Sequence, residues 1–215
     1  MTKKVKDTDF VGATSGANNL IELSEPYLAT ITVTGTADML MHCWNNAAVA
    51  EKAAAKKNSV TKKTDDLESY VLRDEKGKIV MPTLNFCACI REAGKSFADP
   101  TSPRKSMKDR LKAIIIPDAK FGVMVSSASG KECKDWDFVD SRRVVIQRAG
   151  ITRNRPGFYE GWKITFKIQI LEPEYLSPAK LHEIVEAAGK FQGLGDFRPT
   201  FGRFRVTSFE TSKIL

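Results

Sequence analysis

Residues 161–209 read GWKITFKIQILEPEYLSPAKLHEIVEAAGKFQGLGDFRPTFGRFRVTSF. Trp162, Ile164, Phe166, Ile168 and Ile170 alternate with Lys163, Thr165, Lys167 and Gln169. Successive strand side chains point to opposite faces, so the pattern predicts a strand with one buried face and one polar, basic face. Ser177 then stands where a helix needs an N-cap, and Pro178 where a missing N–H costs nothing. Leu181, Ile184, Val185 and Ala188 form the i, i+3, i+4, i+7 stripe of a helix lying on a sheet. A glycine-bearing loop over 189–199 follows, and FGRFRVTSF returns as a strand. Strand, helix and strand at this length make a βαβ unit.

Working outward, YLATITVTG (27–35) also alternates. Leu28, Ile31 and Val33 are assigned to the buried side and Thr30, Thr32 and Thr34 to the other. ESYVLRDEKGKIVMP (68–82) predicts a hairpin turning at Gly77. Thr83 is positioned to cap a helix from Leu84 to about Phe97, with Phe86, Ile90, Ala93 and Phe97 at helical spacing and Pro100 and Pro103 beyond it. RKSMKDRLK (104–112) is a basic patch. AIII (113–116) and FGVMV (121–125) predict short strands, and SSASGKECKDW (126–136) a loop. Residues 1–24 read as a polar arm. The stretch 45–66 reads as an excursion carrying a marginal helix in AAVAEKAAAKK. The elements predict an α+β fold: a ferredoxin-like (RRM-like) antiparallel sheet with helices on one face, one domain over 25–215, and insertions at about 45–66 and 98–157.

The chain has 215 residues, 34 Lys and Arg against 26 Asp and Glu, and a net charge of +8. At 42% hydrophobic it can bury a real core. The positive charge favours a polyanionic partner. No window approaches about 18 continuous apolar residues, so no membrane span is expected. MTKKVKDTDFVG has no apolar core and is not read as a secretory signal. The four cysteines contain no CxxC, and His42 and His182 are the only histidines. Neither a disulfide framework nor a structural zinc site is expected, no cofactor is implied, and a reducing cytoplasm suits the composition.

Two clusters carry binding chemistry. The first is the loop with Gly193 and Gly195, followed by Phe197, Arg198, Phe201 and Arg203. Glycines let backbone N–H groups approach phosphate, arginine binds it bidentately, and phenylalanines stack on bases. The same residues serve equally as a tight connection with core aromatics. The second runs from 142 to 167: Arg142, Arg143, Arg148, Arg153, Arg155, Lys163 and Lys167, with Glu160 as its only acid and Phe158, Tyr159 and Trp162 interleaved. Arginines among aromatics suit a polynucleotide, and Arg153–Gly157 reads as an exposed turn. Lys52, Lys56, Lys57, Lys62 and Lys63 read as solvated charge.

Enzyme signatures are sparse. Ala93-Gly94-Lys95-Ser96 resembles the end of a phosphate-binding loop, but the first glycine of that motif would fall at Cys89, after a helix. His182 reads as a surface residue of its helix. His42, in MLMHCWNN, is the one open candidate for a ribonuclease-type base, with Asp38 the nearest carboxylate. A packed histidine among Met, Cys and Trp is the competing reading.

Three segments carry a family resemblance. DEKGKIVMPTLNFCACIREAGKSF (74–97), LHEIVEAAGKFQGLGDFRPTFGRFRV (181–206) and ATITVTGTADMLMH (29–42) resemble, in the right order and over about half the chain, elements of the RAMP superfamily of CRISPR effector complexes. The backbone subunit is the most similar type. Thr83-Leu84 departs from the usual Gly-Ser after the proline, and Phe197-Arg198-Pro199 from a glycine-richer loop. The shortness of the chain points to a stand-alone branch, phage or plasmid encoded. The resemblance implies a palm that holds a nucleic-acid strand, a thumb within 98–157 that touches the next copy, and polymerisation along the strand. One family branch cleaves with an acidic residue after the first strand. Asp38 matches that region only roughly, so cleavage is not carried over.

The expectation is a non-enzymatic, largely sequence-independent binder of single-stranded DNA or RNA that self-associates into a linear or helical oligomer. The alternatives are a metal-independent endoribonuclease using His42 and a structural assembly protein.

Overall fold

The computed structural model describes residues 25–56, 66–146 and 149–214. The expected N-terminal arm, most of the lysine-rich excursion and Arg148 lie outside them.

The central strand is β1 (Tyr27–Gly35). Tyr27, Ala29, Ile31 and Val33 are fully buried, while Leu28 shares the outer face with Thr30 and Thr32. The expectation for Leu28 is therefore corrected. It differs in parity from Ile31, and a period of two cannot put both on one face. β1 pairs antiparallel with β11 (Lys163–Ile170) on one side and with β12 (Phe204–Lys213) on the other. β11 has the predicted alternation: Ile164, Phe166, Ile168 and Ile170 are fully buried, and Lys163, Thr165 and Lys167 are exposed.

Beyond β11 lies an interrupted edge. β7 (Ile115–Pro117) pairs with the end of β11, and β8 (Phe121–Val125) with its start. β8 then pairs with β4 (Ile79–Pro82), and β4 with β3 (Leu72–Arg73), the hairpin turning through Gly77. The order β12-β1-β11-β8 is the split βαβ arrangement of ferredoxin-like folds.

Two helices cover one face: α2 (Thr83–Ala93) and α4 (Pro178–Phe191). The Ser177 hydroxyl accepts from Lys180 N–H at the start of α4, as its position predicts. Thr83 does not cap α2. Pro82 occupies the cap, Thr83 is the first helical residue, and its buried hydroxyl has no partner among the described residues. Phe97 also falls outside that helix, after a 3₁₀ turn over Gly94–Ser96. The Phe86 and Phe166 rings stack at 4.3 Å between α2 and the sheet, which adds about 0.5–1.5 kcal/mol to their burial. Burial pushes the Cys87 thiol up to about 11 and the Cys89 thiol up to about 12, so both behave as small apolar groups.

The stretch 98–157 divides in two. Its first part joins the main body: β5 (Ala98–Asp99), β6 (Ser102–Ser106), α3 (Lys108–Ile114), then β7 and β8. The basic patch at 104–112 thus straddles β6 and a helix whose Leu111 is fully buried. The second part departs as a long hairpin, β9 (Phe138–Ile146) and β10 (Ala149–Phe158). It forms a separate three-stranded sheet with the two-residue β2 (Met39–Leu40).

Candidate nucleic-acid interface

β2 is too short to hold itself, yet two distant pieces of chain meet on it. On one edge Leu40 opposes Gly157 and Met39 opposes Phe158, which fixes the foot of the hairpin. On the other edge the glycine-rich loop docks: Asp196 N–H donates to Leu40 O at 2.7 Å, and Gly202 N–H to Asp38 O at 2.8 Å. The Asp38 carboxylate accepts from Glu160 N–H at 2.8 Å. It is spent holding backbone.

Side chains cross the same junction. Arg155 on β10 is only 6% exposed and forms an ion pair with Asp196 at 2.5 Å. Its guanidinium lies 5.0 Å from the Phe197 ring centre. Arg142 on β9 lies over Phe201 at 4.6 Å and Phe197 at 5.5 Å, and its Nε donates to both Asp140 oxygens at 2.8 and 2.9 Å. Burial would raise the Asp196 pKa, but the hydrogen bond from Arg155 and its positive charge win, with a smaller contribution from His42. The carboxylate sits below its ordinary range.

The glycine-rich loop is a latch. Gly193, Leu194, Asp196 and Gly202 all donate their N–H groups inside the protein. Gly202 has φ 75°, and an added Cβ would stand 1.7 Å from Leu194 O. Gly195 has φ 80°, and its Cβ would meet Leu40 O at 2.3 Å. Only glycine permits that backbone and that closeness. Phe197 takes φ 58° without being glycine and is 40% exposed, meeting Phe201 edge-on at 6.4 Å. A non-glycine residue held there marks a position that the surroundings over-determine.

The other expected site residues separate. Arg153 to Gly157 is not an exposed turn. It lies within β10, and Arg155, Pro156 and Gly157 are buried. Pro156 has no N–H to leave unpaired, and its carbonyl accepts from Met41 N–H at 2.9 Å, just past the two residues of β2. Arg143 is exposed on β9 opposite Thr152. Arg153 donates to Tyr70 Oη at 3.0 Å. Lys163 and Lys167 are exposed on the helix-free face of the main sheet, Lys163 opposite Thr34 and Lys167 opposite Thr30. Arg198 is exposed beside Glu92 of α2 and Phe191 of α4, on the helical side. Arg203 is exposed and donates to Pro199 O at 2.9 Å. The four cations Lys163, Lys167, Arg198 and Arg203 therefore do not share one face. His42 is exposed, its ring 4.3 Å from that of Tyr70, and His182 is half-buried against the edge of Phe209.

No protein family matches the chain by sequence, and no curated protein matches it. Among solved structures it is similar to a chain in the cryo-EM structure of a type III-B Cmr-beta complex bound to cognate target RNA, with a TM-score of 0.49 and 10% identity over 89% of this chain. This chain spans 62% of that one. Among the described residues no helix is long and apolar enough to cross a membrane, and no three His, Cys, Asp or Glu side chains gather as metal ligands.

Sequence reasoning did not bring out Asp196 or the Tyr70 hydroxyl that accepts from Arg153. A carboxylate within a basic segment was a readable signal for Asp196, because a buried arginine needs a partner. Tyr70 carries no such signal, since its role depends on long-range docking.

Proposed function

We propose that the protein is a non-enzymatic, largely sequence-independent single-stranded nucleic-acid-binding protein of the cytoplasm that assembles along the strand, a stand-alone relative of the RAMP superfamily. One observation carries this reading. β2 brings the basic hairpin and the aromatic loop together, so that Arg142 and Arg155 lie against the rings of Phe197 and Phe201. Cations for phosphate beside rings for stacking are what a single strand needs, whatever its sequence. Arg143 continues the positive surface along β9. The engagement of Asp38 with Glu160 N–H favours a non-catalytic role, because a general acid–base pair around His42 would lack that carboxylate. Val145, 72% exposed near the end of β9, offers an apolar contact for a neighbouring copy.

The test is a gel shift with labelled single-stranded DNA and RNA at two salt concentrations, with negative-stain imaging of the complexes. The reading requires binding whose logarithm falls with log salt by about 0.7 per phosphate engaged. Binding that ignores salt would favour a structural assembly protein instead.

A further inference from the structure

We infer that Asp140 and Asp196 stand in for the phosphates of the strand: they hold Arg142 and Arg155 in the free protein, give them up when a strand enters, and so set its affinity. This deepens the single-strand reading and rests on it.

The hairpin face turned toward the glycine-rich loop carries its own counter-charge. By register Asp140 on β9 opposes Arg155 on β10, and Arg142 opposes Arg153. Directly opposed strand residues share a face, and so do residues two apart, which puts three arginines and one carboxylate together. Two arginines directly opposite each other destabilise a ladder unless negative charge lies close by. Asp140 supplies that charge from within the hairpin, and the loop delivers Asp196 as a second carboxylate. Arg142 Nε donates to both Asp140 oxygens at 2.8 and 2.9 Å, and Arg155 Nε donates to Asp196 at 2.5 Å. Carboxylate and phosphate present the same kind of acceptor to a guanidinium group, so each aspartate occupies what a phosphate would use.

The free protein therefore covers its own binding groups. Arg155 is buried, and the guanidinium groups of Arg142 and Arg155 lie over the rings of Phe197 and Phe201. A strand reaches Arg155 and the covered ring faces only once loop and hairpin part. The Arg142 side chain is 42% exposed and that of its partner Asp140 only 11%, so the exchange begins at Arg142. Arg155 Nη1 is buried and has no hydrogen-bond partner among the described residues. Buried donors are normally paired, and a phosphate oxygen would pair this one. The aspartates thus make a weaker match to the arginines than the strand does.

Apparent affinity is the intrinsic affinity reduced by the fraction of molecules in which the arginines are free. Removing a competing carboxylate raises that fraction. Removing a carboxylate that only orients its arginine does the reverse.

The test titrates wild type, Asp140→Asn and Asp196→Asn against labelled oligothymidylate and oligouridylate by fluorescence anisotropy at one salt concentration. Each variant should bind about three- to thirtyfold tighter than wild type. Asp196→Asn should also melt at a lower temperature, because it leaves a buried arginine unpaired. Tighter binding by a less stable protein is a result that a purely structural carboxylate does not give. Asp140→Asn lies outside the loop and decides the question alone if Asp196→Asn does not fold. Glu51→Gln on α1 (Asn46–Ala54) removes an exposed carboxylate that pairs with neither arginine, and should stay within about twofold of wild type. If either folded Asn variant binds no tighter than wild type, or Glu51→Gln tightens binding as much as they do, the inference falls and the single-strand reading stands. If wild type binds neither strand, both fall.

Discussion

Arg155 and Asp196 show what one residue pair can decide. The arginine is buried and the carboxylate half-buried, so losing either leaves a charge without its partner. Because Asp196 keeps partial contact with solvent, Arg155→Ala should cost about 1–3 kcal/mol, below the range for a fully buried pair. That corresponds to a fall in thermal midpoint of roughly 3–10 °C by calorimetry. The folded pKa of Asp196 lies below its unfolded value. Its contribution to stability is therefore complete above the ordinary carboxylate range and is lost as pH falls through the folded value. Between about pH 5 and pH 3 the midpoint of wild type should decline more than that of Asp196→Asn; parallel declines would mean that the pair does not hold the loop. His42 tests the chemistry at the same scale. Purified protein incubated with labelled RNA, with and without divalent metal, should leave it intact, and His42→Ala should change nothing. Cleavage that disappears in the variant would establish an endoribonuclease.

Under the proposed single-strand reading, two elements compete to hold the strand: the β9–β10 hairpin and the helix-free face of the main sheet. Lys163 and Lys167 on β11 lie among Thr30, Thr32, Thr34 and Thr165 by cross-strand register, and Glu210 pairs with Thr30 from the other side. That face offers hydroxyls and mixed charge, and these registers place no aromatic ring beside the lysines. The hairpin instead sets arginine against Phe197 and Phe201. Arg142→Ala with Arg143→Ala should therefore cut affinity for single strands about ten- to hundredfold and flatten the salt slope by about 1.4, two contacts at about 0.7 each. Lys163→Ala with Lys167→Ala should cost less. Titration of both variants by fluorescence anisotropy at several salt concentrations decides between the elements, and the reverse ranking would move the strand onto the sheet.

At the scale of the molecule, the framework was legible where periodicity was long. β1, β11 and α4 each repeat their pattern over eight or more residues; β1 and β11 lie where their alternation predicts, and α4 starts at Pro178 as expected but runs to Phe191, into the stretch read as loop. Short elements were illegible. β2 has two residues and no period to read, yet it docks both halves of the interface. β7 and β8 share one edge of β11 through pairings that no local pattern encodes. Arg155 looked exposed because proline and glycine follow it, when all three lie inside β10, paired with β9. Under the proposed reading, the binding surface is made of arginine, lysine and rings, with no converging Asn and Gln set among the described residues to read base edges. Such contacts carry charge and stacking but little sequence information. Homopolymers of the four bases should then bind within about tenfold of one another at fixed salt, about 1.4 kcal/mol. On strands of increasing length, gel shifts should appear as a ladder whose upper bands dominate early, because neighbouring copies add contacts to those with the strand. Competition among homopolymers at one salt concentration gives the first quantity and a length series the second. A thousandfold preference for one short sequence would require base-edge contacts that these side chains do not supply.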